Sequence, residues 1–196
     1  VEVGRSIGHI WGYKMGGIFQ SQDEIDAYFA QFPDDNIPDI SFVQPGDMYF
    51  LDVQGNPTEE EPFYSKTPDG KINAFDQTEI GNTIPAYTYG LNFSLQWKNI
   101  DLSANFYGEA SVDRYNEVRA AFENMTGVGS NQWSTVLNRW TLQKRSTTML
   151  RAVAGDPARN NRFSDRWIES AAFFRLNTWQ LGYSLPDNLM KQSGFV

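Results

Sequence analysis

The sequence predicts an all-β fold in which the strands form part of a large transmembrane antiparallel β-barrel, with long extracellular loops that carry short helices. Aromatic residues make up 15% of the 196 residues although the mean hydropathy is −0.50, which is typical of strands with one apolar and one polar face. No stretch approaches the roughly 20 consecutive apolar residues of a membrane helix, so a position in the membrane requires a barrel. The third observation is the strict alternation of apolar and polar residues from Tyr89 to Gly108.

The first predicted strand covers residues 7–19, where β-branched and aromatic residues are separated by four glycines. A helix is predicted over residues 22–32, because Ser21 and Glu24 form the Ser-x-x-Glu pattern of a capping box. Apolar residues then recur at the spacing of one helical face, at Ile25, Tyr28, Phe29 and Phe32.

Two long extracellular loops are predicted over about residues 20–87 and 111–165. The first loop is interrupted by prolines and by acidic runs such as Glu59-Glu60-Glu61, and it includes a short strand at Met48–Leu51. The second contains a predicted helix near residues 113–125. Loops of this length are normal on the outer side of barrels and uncommon inside compact domains.

Two adjacent strands, at residues 88–97 and 101–110, are predicted to form a hairpin with a turn at Lys98-Asn99. Their period of two makes one face apolar, while the other face carries small neutral groups that suit a wet lumen. Amphipathic rings at both ends of the apolar row suit the membrane interfaces. The residues predicted to face lipid are Tyr89, Leu91, Phe93, Leu95, Trp97, Leu102, Ala104, Phe106, Trp179, Leu181 and Tyr183.

The last predicted strand covers residues 173–185, and its apolar phase changes partway along. Phe174 and Leu176 occupy even positions, whereas the apolar residues from Trp179 onward occupy odd ones. A bulge near Asn177, or a strand that leaves the membrane there, would explain this change. Four strands cannot span a bilayer alone, because the edges of an open sheet would be unpaired in lipid, so we expect further strands outside this chain.

An acidic sequence, DGKINAFD at residues 69–76, resembles the second half of a calcium loop. The first half would come from residues 52–55, provided that the intervening segment 56–68 loops out. Calcium is therefore a possible cofactor, with candidate ligands Asp52, Gln54, Asp69, Asn73 and Asp76. The alternative is an Asp-Gly turn with surface carboxylates.

Three tryptophans in the polar loops, Trp133, Trp140 and Trp167, are candidate substrate contacts, because an aromatic ring offers a flat apolar face to a sugar. The alternative is that they anchor their own loops. His9 is the single histidine and has no evident nucleophile beside it, so no catalytic residue is predicted. The net charge of −8 argues against a nucleic-acid partner.

Four stretches of the sequence resemble the C-terminal barrel portion of SusC/RagA-type TonB-dependent outer-membrane transporters of Bacteroidetes. The stretches are VGRSIGHIWGYKMGGIFQSQDEIDAY (3–28), PGDMYFLDVQG (45–55), DGKINAFDQTEIGNTIPAYTYGLNFSLQWKNIDLSANFYG (69–108) and NNRFSDRWIESAAFFRLNTWQLGYSLP (160–186). The sequence departs from the family where the segment 56–68 splits an Asp-rich loop that is usually continuous. It also departs at Leu150, where a proline often precedes Arg151.

The resemblance implies a barrel of the 22-strand type, of which residues 1–196 are a C-terminal fragment without the plug and signal peptide. It implies a multi-pass protein of the outer membrane of a Gram-negative bacterium. It further implies non-enzymatic import of nutrient oligosaccharides or peptides, with TonB acting on the absent N-terminal part and a SusD-like lipoprotein as partner. Two alternatives are a soluble or surface β-rich carbohydrate-binding or adhesin module and a secreted hydrolase.

Overall fold

The computed structural model describes residues 7–32 and 37–186, which divide into two compact units. Within the described residues, the first unit comprises the chain up to residue 83 together with 114–169. The second unit comprises residues 84–113 and the chain from 170 onward. Most of the regular structure is β-sheet, as the sequence predicts, and none of the described helices has the length and apolarity needed to cross a bilayer.

The segment predicted as one strand over residues 7–19 is instead two short strands, β1 (His9–Gly12) and β2 (Met15–Ile18). β1 pairs antiparallel with Thr78–Asn82, which is β4, and β2 pairs antiparallel with Met48–Phe50, which is β3. The prediction of a single barrel strand here was therefore wrong, and the two halves belong to separate ladders of the first unit.

The chain changes ladders at Tyr13 and Lys14, because each makes a backbone hydrogen bond to a different segment. The Tyr13 N–H donates to the Phe163 carbonyl at 3.1 Å, and the Lys14 carbonyl accepts from the Leu51 N–H at 2.9 Å. A Cβ on Gly12 would lie only 2.8 Å from the Phe163 carbonyl oxygen. The glycines of this segment thus allow close packing of backbones, which the sequence pattern does not reveal.

Helix α1 spans Gln22–Gln31, one residue shorter than predicted. One half of the predicted capping box is present, because the Glu24 N–H donates to the hydroxyl of the N-cap residue Ser21 at 3.3 Å. The Glu24 carboxylate accepts from the N–H of Gln20, one residue before the N-cap, at 2.7 Å. The apolar face of the helix is buried in a small cluster that contains Phe19, Ile25, Phe29, Val43 and Ala158.

The helix predicted over residues 113–125 is shorter, and the structure places a strand before it. Strand β7 (Asp113–Tyr115) pairs with β8 (Ile168–Ser170), and the chain passes between the two units within these strands. Helix α2 then spans Glu117–Glu123, because the Asn116 side chain accepts the Arg119 N–H at 2.8 Å and caps the first turn.

The first unit has an apolar core to which segments predicted as loops contribute together with the predicted strands. Its buried members are Tyr13, Ile18, Met48, Phe50, Ile72, Met125, Val136, Trp140, Met149 and Leu150. Beside it, the fully buried Asp47 carboxylate accepts from Arg151 Nε at 2.7 Å and Asn160 Nδ2 at 2.8 Å. Arg151 and Asn160 lie 104 and 113 positions after Asp47, so one buried carboxylate joins distant parts of the chain.

The second unit is a three-stranded antiparallel sheet with the order β5 (Tyr87–Trp97), β6 (Ile100–Ala110) and β9 (Phe173–Tyr183). The predicted hairpin is confirmed, with a two-residue turn in which Lys98 adopts a φ of 54°. β5 and β6 pair in continuous register, so their alternating apolar residues lie on one face.

The bulge predicted near Asn177 is also present. Asn105 pairs with Thr178 and Phe106 pairs with Leu176, which leaves Asn177 without a partner in the ladder. The extra residue moves the apolar side chains of β9 from even to odd positions while keeping them on the same face of the sheet.

Candidate functional site

The three-stranded sheet of the second unit has one face made of apolar side chains and glycine, and we call it the apolar face. Its register brings together all the residues predicted to face lipid: Tyr89, Leu91, Phe93, Leu95 and Trp97 of β5, Leu102, Ala104 and Phe106 of β6, and Trp179, Leu181 and Tyr183 of β9. Leu91 is 58% exposed, Leu95 53% and Leu181 60%, whereas the three residues of the central strand are half-buried. Exposed apolar surfaces of this kind mark contact with a partner or a membrane.

Aromatic rings lie at both ends of the apolar face. At the turn end, Trp97 and Tyr183 flank Ile100 of the central strand. At the other end, the Phe174 ring lies 5.9 Å from the Tyr89 ring and stacks on Phe106 at 5.5 Å. Rings with an apolar body and a polar edge prefer the boundary between hydrocarbon and water, so this distribution matches the two interfaces of a bilayer.

The opposite face of the sheet is polar. The Asn105 amide donates to the Asn92 side chain across the hairpin, and the Tyr107 hydroxyl donates to Glu109 at 2.7 Å. The Arg175 guanidinium lies over the Phe173 ring, 5.2 Å from its centroid. Polar side chains that bond to one another fit a water-filled lumen.

The two halves of the predicted calcium loop meet in the first unit. Asp52 accepts the Gly70 N–H at 2.8 Å, and Asp76 accepts the Val53 N–H at 3.0 Å. The segment 56–68 loops out, and its ends are held by paired backbone hydrogen bonds between Gly55 and Ser65. The looping out on which the calcium hypothesis depended is therefore present.

The carboxylates of this loop are engaged by backbone N–H groups. The Asp69 carboxylate accepts from the backbone and side-chain amides of Asn56 at 2.9 and 2.7 Å, and Asp76 also accepts from the Asn73 N–H at 2.8 Å. Within residues 7–32 and 37–186, no group of three or more His, Cys, Asp or Glu side chains is arranged to hold a metal ion. Calcium binding by Asp52, Gln54, Asp69, Asn73 and Asp76 thus stays a prediction.

Burial raises the pKa of Asp76 to about 6. The N–H groups of Asn73, Gln54 and Val53 act in the opposite direction, and the nearby charge of Asp52 adds to the increase. Asp76 is thus a fully buried carboxyl group that lies close to the negative charge of Asp52.

Two of the three predicted substrate-binding tryptophans are buried, so their proposed role was wrong. Trp167 is completely buried with the Arg166 guanidinium 5.0 Å from its ring centroid, and Trp140 belongs to the core and donates from Nε1 to the Gln20 side chain. Both anchor their loops, which was the alternative interpretation. Trp133 is 40% exposed and stacks on Phe122 at 5.9 Å, so one side of its ring is covered.

The sequence did not reveal a groove of about 450 Å³ in the first unit, beside the split acidic loop. We call it the aromatic groove, and it is lined by Tyr28, Gln31, Phe32, Tyr49, Phe50, Leu51, Asp52, Pro68 and Gly70. The helical spacing of Tyr28 and Phe32 predicts that they share one face of a helix, but it does not show what that face contacts. The groove forms only because β3 and residue 70 come next to the end of α1.

The comparison with curated proteins and the comparison with solved structures agree with each other. No family model matches the chain. TonB-dependent receptors P3 and P26 of Formosa agariphila are each 26% identical to it, over 191 and 192 residues. The RagAB peptide transporter structure superposes on 94% of this chain with a TM-score of 0.63 and 21% identity, and the RagAB peptide importer in its closed-closed state gives 0.62. The chain is thus similar in sequence to TonB-dependent receptors and in fold to RagAB, which agrees with the resemblance to SusC/RagA-type transporters.

The similarity to TonB-dependent receptors and to RagAB supports the predicted location in the outer membrane of a Gram-negative bacterium. The matches cover 97% and 98% of this chain but only 16% and 17% of the two receptors. The chain also covers 17% of the RagAB chain. It therefore corresponds to a small part of these transporters, and its structural likeness to RagAB concerns the fold.

Proposed function

We propose that the protein to which this chain belongs imports nutrient oligosaccharides or peptides across the outer membrane, driven through TonB and without covalent chemistry. In this proposal β5, β6 and β9 are part of a barrel of the 22-strand type. The exposed apolar face carries the proposal, because lipid would remove from water the large side chains that the sheet leaves uncovered.

The length of the strands supports a membrane-spanning position. Each of the three strands has 11 residues, which at about 3.3 Å per residue gives roughly 36 Å along the strand. A tilt of about 45° reduces this to about 26 Å across the membrane, close to the apolar band of about 25 Å in outer-membrane barrels. The aromatic rings at each end then fall at the two interfaces.

The free edges of the sheet support a closed barrel. In the described part of the chain, no strand pairs with the outer edge of β5 or of β9. Unpaired backbone groups cost several kcal/mol each in hydrocarbon, so further strands must pair with both edges in a membrane. We propose that the rest of the full-length protein provides these strands.

The remaining parts of the proposal concern the outer side of the barrel. We propose that residues 20–87 and 111–165 are extracellular loops and that a SusD-like lipoprotein contacts them. The support is that these segments carry their own apolar core, which gives a preformed surface to a partner. Substrate capture would occur between this surface and the lipoprotein.

A transport assay tests the proposal. Cells that carry the full-length gene should deplete oligosaccharides or peptides from the medium, and deletion of either the gene or tonB should abolish depletion. A matched control strain with a deleted gene for an unrelated porin should retain uptake. Equal uptake with and without tonB would refute energised import, and recovery of the protein in the soluble fraction would refute the barrel.

A further inference from the structure

The aromatic groove combines ring faces with a carboxylate, and both features belong to the first unit. Its wall contains a connected group of rings: the Tyr28 centroid lies 5.0 Å from that of Phe32 and 5.4 Å from that of Tyr49. The Tyr28 hydroxyl donates to the Phe50 carbonyl at 2.9 Å, so the ring is held in one orientation. The groove therefore has a preformed aromatic wall.

The carboxylate of Asp52 contributes a charge that the protein does not neutralise. One oxygen accepts the Gly70 N–H at 2.8 Å, and the other is buried without a hydrogen-bond partner. Among the described residues, no basic side chain lies within 4 Å of the carboxylates of Asp52, Asp69 or Asp76. Their negative charge is therefore balanced only by backbone N–H groups, by the Asn56 side-chain amide at Asp69 and by solvent.

The field of these carboxylates reaches the aromatic wall. Burial is the main reason that the pKa of the Tyr28 hydroxyl is raised, and the negative charges of Asp76 and Asp52 raise it further. A positive group in the groove would be attracted both by the ring faces and by the unpaired carboxylate. A neutral sugar could stack on the rings, but it would leave the charge uncompensated.

We propose that the aromatic groove binds the ammonium or guanidinium group of a basic peptide. The alkyl stem of a lysine or arginine would pack on Tyr28 and Tyr49 while its charge approaches Asp52. This inference rests on the proposed import function, because it selects basic peptides from the two proposed substrate classes.

Binding to the full-length transporter purified in detergent tests the inference by isothermal titration calorimetry. The probes are a capped pentapeptide with one central lysine, the same peptide with glutamine at that position, and a neutral hexasaccharide. The lysine peptide should bind at least tenfold more tightly than the glutamine peptide. Asp52→Asn should remove this preference, whereas Glu60→Gln removes an exposed charge elsewhere and should keep it.

A second variant keeps the test decisive if Asp52→Asn does not fold. Gln31 is exposed at the last position of α1, where a lysine is compatible with the helix end. Gln31→Lys should weaken binding of the lysine peptide at least fivefold without changing the affinity for the glutamine peptide. Equal affinity of the two peptides for the unmodified protein would overturn the inference, as would a preference that survives both groove variants.

The binding assay also separates this inference from the import proposal. Uptake that depends on tonB, together with no lysine preference, would leave the import function intact and overturn the groove assignment. A lysine preference that depends on Asp52 in a protein without tonB-dependent uptake would support the groove and refute import. Tighter binding of the hexasaccharide, with competition against the lysine peptide, would assign the groove to sugars and overturn the inference.

Discussion

Replacing Phe93 by arginine places a charge near the centre of the apolar face. Phe93 is one residue from Asn92, the midpoint of the 11-residue strand β5, and it is 47% exposed in the isolated chain. In the proposed membrane-spanning position, with about 3.3 Å per residue and about 45° of tilt, its Cα would lie roughly 2 Å from the membrane midplane. Trp97, at the end of the same strand, would lie about 12 Å from the midplane by the same geometry.

These depths set the expected free-energy changes. An arginine on the lipid face costs about 2–4 kcal/mol at the midplane and about 0–1 kcal/mol near an interface. Phe93→Arg should therefore lower the free energy of unfolding by roughly 3 kcal/mol, or about 100-fold in the folding equilibrium, whereas Trp97→Arg should lower it by less than about 1 kcal/mol. Ser94→Arg is the matched control at nearly the same depth, because Ser94 lies on the polar face and its arginine would enter the lumen.

Reversible guanidinium unfolding of the full-length protein in lipid vesicles measures these differences. The expected order of cost is Phe93→Arg, then Trp97→Arg, with Ser94→Arg close to the unmodified protein. An equal cost for Phe93→Arg and Ser94→Arg would refute the assignment of the two faces. Equal losses of stability for Phe93→Arg and Trp97→Arg would refute the depth assignment.

Three further predictions concern the first unit. Asp47→Ala should destabilise the unit by about 3 kcal/mol, because it leaves the Arg151 charge without its partner, and hydrogen exchange should report this while Glu60→Ala has no effect. Because burial raises the pKa of Asp76 to about 6, the contribution of Asp76 to stability should be fully present below about pH 4 and should be lost as the pH rises through 6. Asp76→Asn should remove this pH dependence. If the free energy of unfolding of the variant changed with pH as it does in the unmodified protein, the prediction would be wrong. Calcium titration tests the metal hypothesis: Asp69→Asn should weaken binding at least tenfold, and an unchanged affinity would leave the hypothesis without support.

The hairpin could be predicted because its information is local. Alternation with a period of two fixes which side chains share a face, and the turn at Lys98 fixes the register of β5 and β6. The phase change in β9 likewise predicted the bulge at Asn177. Helix α1 carried its own start signal in Ser21 and Glu24.

The first unit could not be predicted to the same extent, because its contacts are between distant segments. The residues 7–19 contain strand-forming types, but whether they form one strand or two depends on pairing with β3 and β4. Trp140 and Trp167 lie in polar stretches but are buried, and Trp140 donates to the side chain of Gln20, which is 120 positions away. Composition therefore suggested exposed side chains where the fold provides a core.

The aromatic groove shows the same limit for a candidate site. Tyr28 and Asp52 are 24 positions apart, and the sequence does not state that α1 ends beside the acidic loop. The meeting of the two halves of the acidic loop could be predicted from residue type and spacing, whereas calcium binding there stays a prediction. The groove has no such pattern, since its properties come from the juxtaposition of ordinary aromatic and acidic residues.

The central claim is that one face of the sheet contacts lipid, and quenching by brominated lipids measures this most directly. The chain has no cysteine, so once any cysteine elsewhere in the full-length protein is replaced, single cysteines at Leu91, Asn92, Phe93 and Ser94 can each carry a fluorescent label in vesicles. We predict strong quenching at positions 91 and 93 and weak quenching at 92 and 94. Equal quenching at all four positions, or stronger quenching at 92 and 94, would contradict the membrane assignment of the apolar face.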